Sequence, residues 1–176
     1  GFLPEQIESL RESYFREYGT TLRGLQANHQ VDMDDYLAYV HDIPLEDHLQ
    51  PDPALRAALE SIPVRKLIFT NADCAHAGRV TRVLGLEGVF DGCIDVHAIA
   101  PHCKPMPGSF ERALAAAGDP DPHRCVLLDD QGRVTRAARA LGMYTVLVGK
   151  DEPGFDADEA LTSLTDLPEL IRYWRI

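Results

Sequence analysis

Two short stretches decide the fold: Lys66-Leu-Ile-Phe-Thr-Asn71 and Cys125-Val-Leu-Leu-Asp-Asp130. Each is a run of apolar and β-branched residues that ends abruptly in polar ones. Such runs are typical of buried strands in a parallel sheet, where the next residues leave the sheet at its carboxyl edge. These stretches therefore predict strands over 66–70 and 125–129, with functional side chains directly after them.

The rest of the second half repeats the same pattern. Further strands are predicted over 92–96 and 144–148, and helices over about 74–84, 109–117 and 133–141. Strands that alternate with helices indicate right-handed βαβ units. The fold class is therefore α/β, with a Rossmann-like parallel sheet. The leucines near the C-terminus predict a closing helix that is interrupted near Pro168.

The first fifty residues have a helical pattern and contain no convincing strand. Ile7, Leu10, Tyr14 and Tyr18 recur at helical spacing up to Gly19. A second helix is predicted over 33–40 with Asp32 as its N-cap, and a third over 54–61. We expect a small, partial helical cap at 1–50 and an α/β core at 51–176.

Composition and charge exclude several classes of function. The 176 residues include 17 Lys and Arg against 28 Asp and Glu, for a net charge of −11. Nucleic acid and membrane surfaces are therefore poor partners. The four cysteines have no CxxC pair, and we expect reduced thiols in a soluble, cytoplasmic protein. No apolar run is long enough to cross a bilayer.

Three predicted strand ends carry complementary polar groups. They are Thr70-Asn71, Lys104-Pro105 in the loop after the second strand, and Asp129-Asp130. Hydroxyl, ammonium and carboxylate groups at one sheet edge suit a phosphate and Mg²⁺ site. Simpler readings remain: a helix cap for Thr70, a turn for Asn71 and a solvated surface position for Lys104.

In this order the segments resemble a known family. Leu67-Ile-Phe-Thr-Asn71 is similar to motif II of the haloacid dehalogenase-like phosphatases, Lys104-Pro105 to motif III and Leu127-Leu-Asp-Asp130 to motif IV. Within that superfamily, Tyr18-Gly-Thr-Thr-Leu-Arg-Gly-Leu25 and Thr70-Asn-Ala-Asp-Cys-Ala-His76 resemble the pyrimidine 5′-nucleotidase group, which has a small helical cap.

The resemblance implies an enzyme with an aspartate nucleophile. That aspartate attacks the phosphoryl group, a second aspartate two residues later protonates the leaving oxygen, and water cleaves the aspartyl-phosphate. The implied catalytic residues are Thr70 on a phosphoryl oxygen, Asn71 orienting substrate and Lys104 offsetting charge. The implied Mg²⁺ ligands are Asp129 and Asp130.

Two residues are expected to face the substrate. They are Arg23 and His76, for which a structural ion pair and a helix-capping role, respectively, are the simpler alternatives.

The family's motif I, a DxDx[TV] sequence after a buried strand, is absent. The DxD at Asp32-Met-Asp34 follows no apolar strand. Motif I would form the central strand, between the strands that end at Thr70 and Asp129. Three outcomes are open: the segment lies upstream of Gly1, which the lack of an initial Met favours; the sheet closes across the gap; or another chain fills it.

The leading hypothesis is a Mg²⁺-dependent phosphatase of a small phosphomonoester, a nucleotide 5′-monophosphate. Its nucleophile lies upstream, and the chain by itself is inactive. The alternative is a catalytically silent relative, or a fragment, that acts as a binding module. An open sheet edge also makes a homodimer by strand exchange an expectation.

Overall fold

The computed structural model describes residues 3–150, 152, 154, 156–171 and 174. The strands are β1 (Leu67–Phe69), β2 (Gly92–Ile94), β3 (Val126–Asp129), β4 (Tyr144–Val148) and β5 (Glu159–Leu161). The α-helices are α1 (Pro4–Tyr18), α2 (Thr21–His29), α3 (Met33–His41), α4 (Pro53–Glu60), α5 (Cys74–Val83), α6 (Pro107–Ala116), α7 (Gly132–Arg139) and α8 (Leu167–Leu170). Short 3₁₀ helices cover Leu45–Asp47, Pro122–Arg124 and Leu164–Asp166.

All paired strands run parallel, as the α/β pattern predicts. β1 pairs with β2 in the register Ile68 to Cys93. β3 pairs with β4 in the register Leu127 to Thr145, and β4 pairs with β5. The predicted fold class, a Rossmann-like parallel α/β core, is therefore confirmed. β5 was not predicted, because its Glu159-Ala-Leu161 sequence is too short and too polar to stand out.

The strands form two separate sheets with a gap between β1 and β3. Within the described residues, no strand pairing joins the β1–β2 sheet to the β3–β4–β5 sheet. The Thr70 N–H donates to Ile94 O of the β2 side at 3.0 Å. Because peptide groups alternate along a strand, Leu67 and Phe69 present theirs towards the gap. The alternative of direct closure of the sheet is therefore wrong.

The facing edge of β3 is open in the same way. The Tyr144 N–H donates to Cys125 O at 3.0 Å, so Val126 and Leu128 direct their peptide groups away from β4. β3 and β1 are only partly buried along their whole length, whereas the middle three residues of β4 are fully buried. The two strands that face the gap, β1 and β3, are thus less buried than the middle of β4.

Helices cover both faces of the β3–β4 sheet. On one face, Leu59 and Leu167 from α4 and α8 pack with Val146. On the other, Phe110 from α6 and Val134 from α7 form a second core. This three-layer arrangement buries alternate side chains of each strand on opposite faces, which is why the strand sequences are almost continuously apolar.

The N-terminal segment is helical, as predicted, but it contains one helix more than predicted, α2. Asp32 accepts hydrogen bonds from the N–H groups of Asp34 and Asp35, so its predicted role as an N-cap is confirmed. α2 begins after Thr20, whose side chain accepts from the Arg23 N–H, and it was not predicted as a separate helix. The boundary between a cap at 1–50 and a core at 51–176 stays a prediction.

Two sequence predictions are wrong. The leucine-rich C-terminal stretch is not one closing helix but β5, a 3₁₀ turn and the short α8, in which Pro168 lies in the first turn. Cys74 and Cys93 are not reduced thiols but form a disulfide, because α5 packs beside β2 and brings their Cα atoms to 5.9 Å. Cys103 and Cys125 are free, as predicted.

Residues 172, 173, 175 and 176 of the chain end lie outside the described residues. In the described ranges, every helix is too short or too polar to cross a bilayer.

Candidate functional site

Lys104 is the centre of the polar cluster at the carboxyl ends of the strands. Its Nζ lies 2.7 Å from Asp129 Oδ2 and 2.9 Å from Phe69 O. Only 13% of the Lys104 side chain and 6% of the Asp129 side chain are exposed. The ammonium therefore bridges the ends of β1 and β3 across the gap in the sheet, and a solvated surface role for Lys104 does not fit.

Asn71 holds the loop that carries Lys104. Its Nδ2 donates to Lys104 O at 3.0 Å, and its Oδ1 accepts from the Lys104 N–H at 2.8 Å. Both ends of the amide are used in this reciprocal pair. Asn71 thus holds the Lys104 backbone in place, and its predicted contact with substrate stays a prediction.

Thr70 lies at the same edge, directly after β1. Its Oγ1 accepts from the Ala72 N–H at 3.0 Å, which forms a tight turn before α5. This bond uses an oxygen lone pair and leaves the hydroxyl proton available to donate. Thr70 can therefore hydrogen-bond an oxygen atom placed next to Lys104.

The two carboxylates after β3 have different environments. Asp129 is bound by Lys104, and its Oδ1 also accepts from the Gln131 N–H at 3.0 Å. Asp130 is exposed, and within the described residues its carboxylate makes no hydrogen bond or ion pair. One carboxylate is thus fixed and the other is free to take a ligand.

Asp129 and Asp130 are the type of ligand that Mg²⁺ prefers, but they supply only some of the ligands that the ion needs. Carboxylate oxygens are the hard ligands that Mg²⁺ prefers. Among the described residues, however, no group of three or more His, Cys, Asp or Glu side chains could hold a metal ion. Asp129 and Asp130 would therefore supply part of a coordination sphere, with the other ligands from water, substrate or a further segment.

Arg23 joins α2 to the loop that precedes Lys104. Its Nη2 donates to His102 O at 3.0 Å, and its Nη1 donates to Gln26 Oε1 at 2.8 Å. Burial lowers the pKa of its guanidinium. Its Nε is buried and has no hydrogen-bond partner in the part of the chain that the structure describes. The predicted substrate contact of Arg23 stays a prediction. Its hydrogen bonds hold α2 beside the Lys104 loop, and within the described residues its guanidinium forms no ion pair.

His76 lies on α5, at a contact with α3. Its ring stacks on His41 with centroids 3.9 Å apart, and Asp73 Oδ2 binds His41 Nδ1 at 2.8 Å. Burial, followed by the nearby His41, lowers the pKa of His76. Asp73 Oδ1 caps α5 through the His76 N–H.

A cavity of about 280 Å³ lies at this contact between α3 and α5. Its lining includes His41, Asp73, His76 and Arg79. Arg79 donates to His41 O and Ile43 O, both at 2.7 Å, and so fixes the end of α3. His76 therefore belongs to a helix–helix contact, and its predicted contact with the substrate stays a prediction.

Arg133 is a further residue near the site that the sequence does not reveal. Its Nη2 donates to Gly19 O at 3.0 Å, and its guanidinium lies 3.6 Å from the centre of the Phe15 ring. Arg133 lies at the start of α7, shortly after Asp129 and Asp130. Its hydrogen bond to Gly19 O therefore holds the turn between α1 and α2 close to the segment that carries these two carboxylates. Nothing in its sequence neighbourhood indicates this, because the contact spans 114 residues.

Fold and site together define a Rossmann-like α/β protein with a lysine–carboxylate cluster at the carboxyl ends of its strands. The chain belongs to the haloacid dehalogenase-like hydrolase family, whose sequence profile matches residues 4–142. The chain is also similar to Phosphate metabolism protein 8 of Saccharomyces cerevisiae, with 32% identity. That alignment covers 92% of this chain and 55% of the yeast protein, so the chain spans about half the length of this relative.

Solved structures support the same fold. The L-2-haloacid dehalogenase of Xanthobacter autotrophicus matches with a TM-score of 0.65 and 19% identity, over 96% of this chain and 86% of that one. The β-phosphoglucomutase of Clostridium difficile matches with a TM-score of 0.59 and 21% identity, over 96% and 74%. At these identities the likeness concerns the fold alone.

Proposed function

We propose that the whole protein is a Mg²⁺-dependent phosphomonoester hydrolase that acts on nucleotide 5′-monophosphates. The observation that carries the proposal is the buried Lys104 ammonium, fixed between Asp129 Oδ2 and Phe69 O at the open end of the gap. A buried cation at the carboxyl ends of parallel strands suits an anionic ligand. The family and the yeast relative named for phosphate metabolism agree with this choice.

The residues of this chain have distinct roles in the proposed reaction. Lys104 offsets the negative charge that grows on the phosphoryl oxygens, and Asn71 keeps the Lys104 backbone in place. The Thr70 hydroxyl donates to one phosphoryl oxygen. Asp130 and Asp129 would hold Mg²⁺, which when bound supplies positive charge to the phosphoryl group.

The attacking aspartate would come from a strand in the gap between β1 and β3. A parallel strand there would hydrogen-bond with the outward peptide groups of Leu67 and Phe69 on one side and of Val126 and Leu128 on the other. Its carboxyl end would then lie beside Lys104. We propose that a segment upstream of residue 1 in the whole protein provides this strand and forms the aspartyl-phosphate.

The nucleoside would lie towards the N-terminal helices. Arg23 of α2 donates to His102 O, two residues before Lys104. Arg133 donates to Gly19 O and so holds the α1–α2 turn close to the segment that carries Asp129 and Asp130. These contacts support a small helical cap of the pyrimidine 5′-nucleotidase type above the phosphate position. Arg23 is a residue of this cap that contacts the Lys104 loop directly, through His102 O.

The test is phosphate release by the whole protein from a panel of nucleoside 5′-monophosphates, with Mg²⁺ or with EDTA. We expect release that EDTA abolishes and that Mg²⁺ restores. Lys104→Met and Asp130→Asn should each lower kcat by roughly 10²-fold or more, because each removes charge stabilisation. Asp47→Asn, an exposed carboxylate on the Leu45–Asp47 turn, is the matched control and should leave kcat unchanged.

Metal-independent release, or full activity in Asp130→Asn, would contradict the proposed site. Failure to release phosphate from any monophosphate, together with thermal stabilisation by a nucleotide, would instead support the silent binding relative. Light scattering across a concentration series tests whether two copies fill each other's gap: a dimer of the 176-residue chain that dissociates when the upstream strand is present would support this, and a constant monomer would reject it.

A further inference from the structure

A disulfide ties the start of α5 to the middle of β2. Cys74 is the first residue of α5, Cys93 is the central residue of β2, and 19 positions separate them in sequence. The Cα–Cα distance of 5.9 Å is the usual one for a bridged pair. The bond therefore closes a loop that contains the whole of α5.

The same segments are also held together without the disulfide. The Thr70 N–H donates to Ile94 O at 3.0 Å, and the Val96 N–H donates to Ala72 O at 3.0 Å. The Cys74 N–H donates to Asp95 Oδ2 at 3.1 Å. Breaking the S–S bond thus removes a covalent tie and leaves the hydrogen bonds that keep the two segments side by side.

The bridged cysteines are more open to thiol reagents than Cys103. Cys74 and Cys93 are partly exposed, whereas Cys103 is completely buried. Burial raises the pKa of the Cys103 thiol, and burial also raises that of Cys125, so both react slowly in exchange. The disulfide is the group in the described chain that is best placed to respond to a thiol.

We propose that Cys74 and Cys93 form a reversible dithiol–disulfide couple that sets how firmly the first turn of α5 is held against β2. Reduction takes two steps with a small thiol such as glutathione. A thiolate attacks one sulfur, the S–S bond breaks, and a mixed disulfide and one cysteine thiolate form. A second glutathione thiolate then attacks the mixed disulfide and releases the other cysteine as a thiolate. The two cysteine thiolates take up two protons, and glutathione disulfide is the oxidised product.

The couple acts beside groups that hold the N-terminal helices. Asp73 precedes Cys74, caps α5 through the His76 N–H and binds His41 of α3. A looser first turn weakens both of these Asp73 contacts, while the hydrogen bonds from the Thr70 N–H to Ile94 O and from the Val96 N–H to Ala72 O keep the rest of the loop in place. The oxidation state of the two cysteines therefore changes the contacts of Asp73, at the end of the loop between β1 and α5. This holds whether or not the protein hydrolyses a phosphomonoester.

The experiment equilibrates the full chain in glutathione buffers of graded ratio, quenches with acid, then denatures, alkylates and weighs the protein. We expect two alkylated cysteines at the oxidised end and four at the reduced end, with no stable form carrying three. Hydrogen exchange in the native protein should become about tenfold faster in the first turn of α5 on reduction. Exchange in β4 should not change.

Two variants complete the test. Cys93→Ser should exchange rapidly at the start of α5 in every buffer, whereas Cys125→Ser should keep the two-thiol response. Four alkylated cysteines at every glutathione ratio would overturn the proposal, as would a disulfide that excess glutathione never reduces. Equal exchange rates in the oxidised and reduced proteins would overturn the claim that the bond holds α5.

Discussion

Replacing Lys104 with methionine should destabilise the protein strongly. The ammonium bridges Asp129 Oδ2 at 2.7 Å and Phe69 O at 2.9 Å, and both charged side chains are more than four-fifths buried. Removing the cation leaves a buried carboxylate whose remaining hydrogen bond comes from the Gln131 N–H, and it leaves Phe69 O without its donor. Loss of one partner of a buried pair costs about 3 to 5 kcal/mol.

The assay is urea unfolding followed by far-ultraviolet circular dichroism. With a slope of about 1 to 3 kcal/mol per molar urea, a loss of this size lowers the midpoint by roughly 1 to 5 M. Asp129→Asn should cost a similar amount. The double variant should cost clearly less than the sum, because the second substitution removes the charge that the first left unpaired; we expect a coupling of about 2 kcal/mol.

The exposed pair Arg82–Glu87 is the matched control for the buried pair. Its side chains are 69% and 66% exposed, and Arg82→Met should cost at most about 1 kcal/mol. A Lys104→Met variant that loses less than about 1 kcal/mol, with no coupling to Asp129, would refute the reasoning that a desolvated ion pair joins the two sheets.

Three further predictions concern single residues. Gly24→Ala should destabilise by about 1 to 3 kcal/mol in thermal or urea unfolding, because the new Cβ would overlap the ring of Tyr14. Asn71→Leu should cost about 1 to 3 kcal/mol, because the backbone N–H and C=O of Lys104 lose their partners. Asp73→Asn should lose about 1 kcal/mol near neutral pH. Although burial acts in the opposite direction, hydrogen bonds from the His76 N–H and from His41 hold the Asp73 pKa below its ordinary value. The wild-type advantage is therefore complete above that ordinary value and disappears as the pH falls through the lowered one.

Each of these variants has an outcome that contradicts it. Gly78 is also helical, and among the described residues a methyl group added there would meet no atom within 4 Å beyond its own helix backbone and chain neighbours. Gly78→Ala should therefore stabilise by up to about 1 kcal/mol. Equal effects at Gly24 and Gly78 would reject the overlap with Tyr14. An Asn71→Leu variant as stable as wild type would mean that its bonds to Lys104 contribute nothing. A stability difference for Asp73→Asn that stays constant down to strongly acidic pH would reject the lowered pKa.

The N-terminal helices show where local sequence is sufficient. Asp32 caps α3 as predicted, because an N-cap needs only a side-chain oxygen two or three residues from the free N–H groups. The strand–helix alternation predicted the parallel α/β core for the same reason: side-chain burial repeats along the chain itself. By contrast, α2 and β5 are short, and their boundaries depend on packing with distant segments.

The sequence by itself therefore determined the class of fold, the positions of the main strands and the residues at their carboxyl ends. Those properties follow from periodicity and from order along the chain. It also indicated that a central strand is missing, and the two separate sheets agree with that.

Only the tertiary structure decided which of these residues meet. Lys104 and Asp129 are 25 positions apart, and Cys74 and Cys93 are 19 apart, so no local pattern shows that one pair forms an ion bridge and the other a disulfide. His76 stacks on His41, 35 positions earlier in the chain, and no local pattern shows that contact either. Such contacts depend on how helices pack on the sheet, and packing is a property of the whole chain in three dimensions.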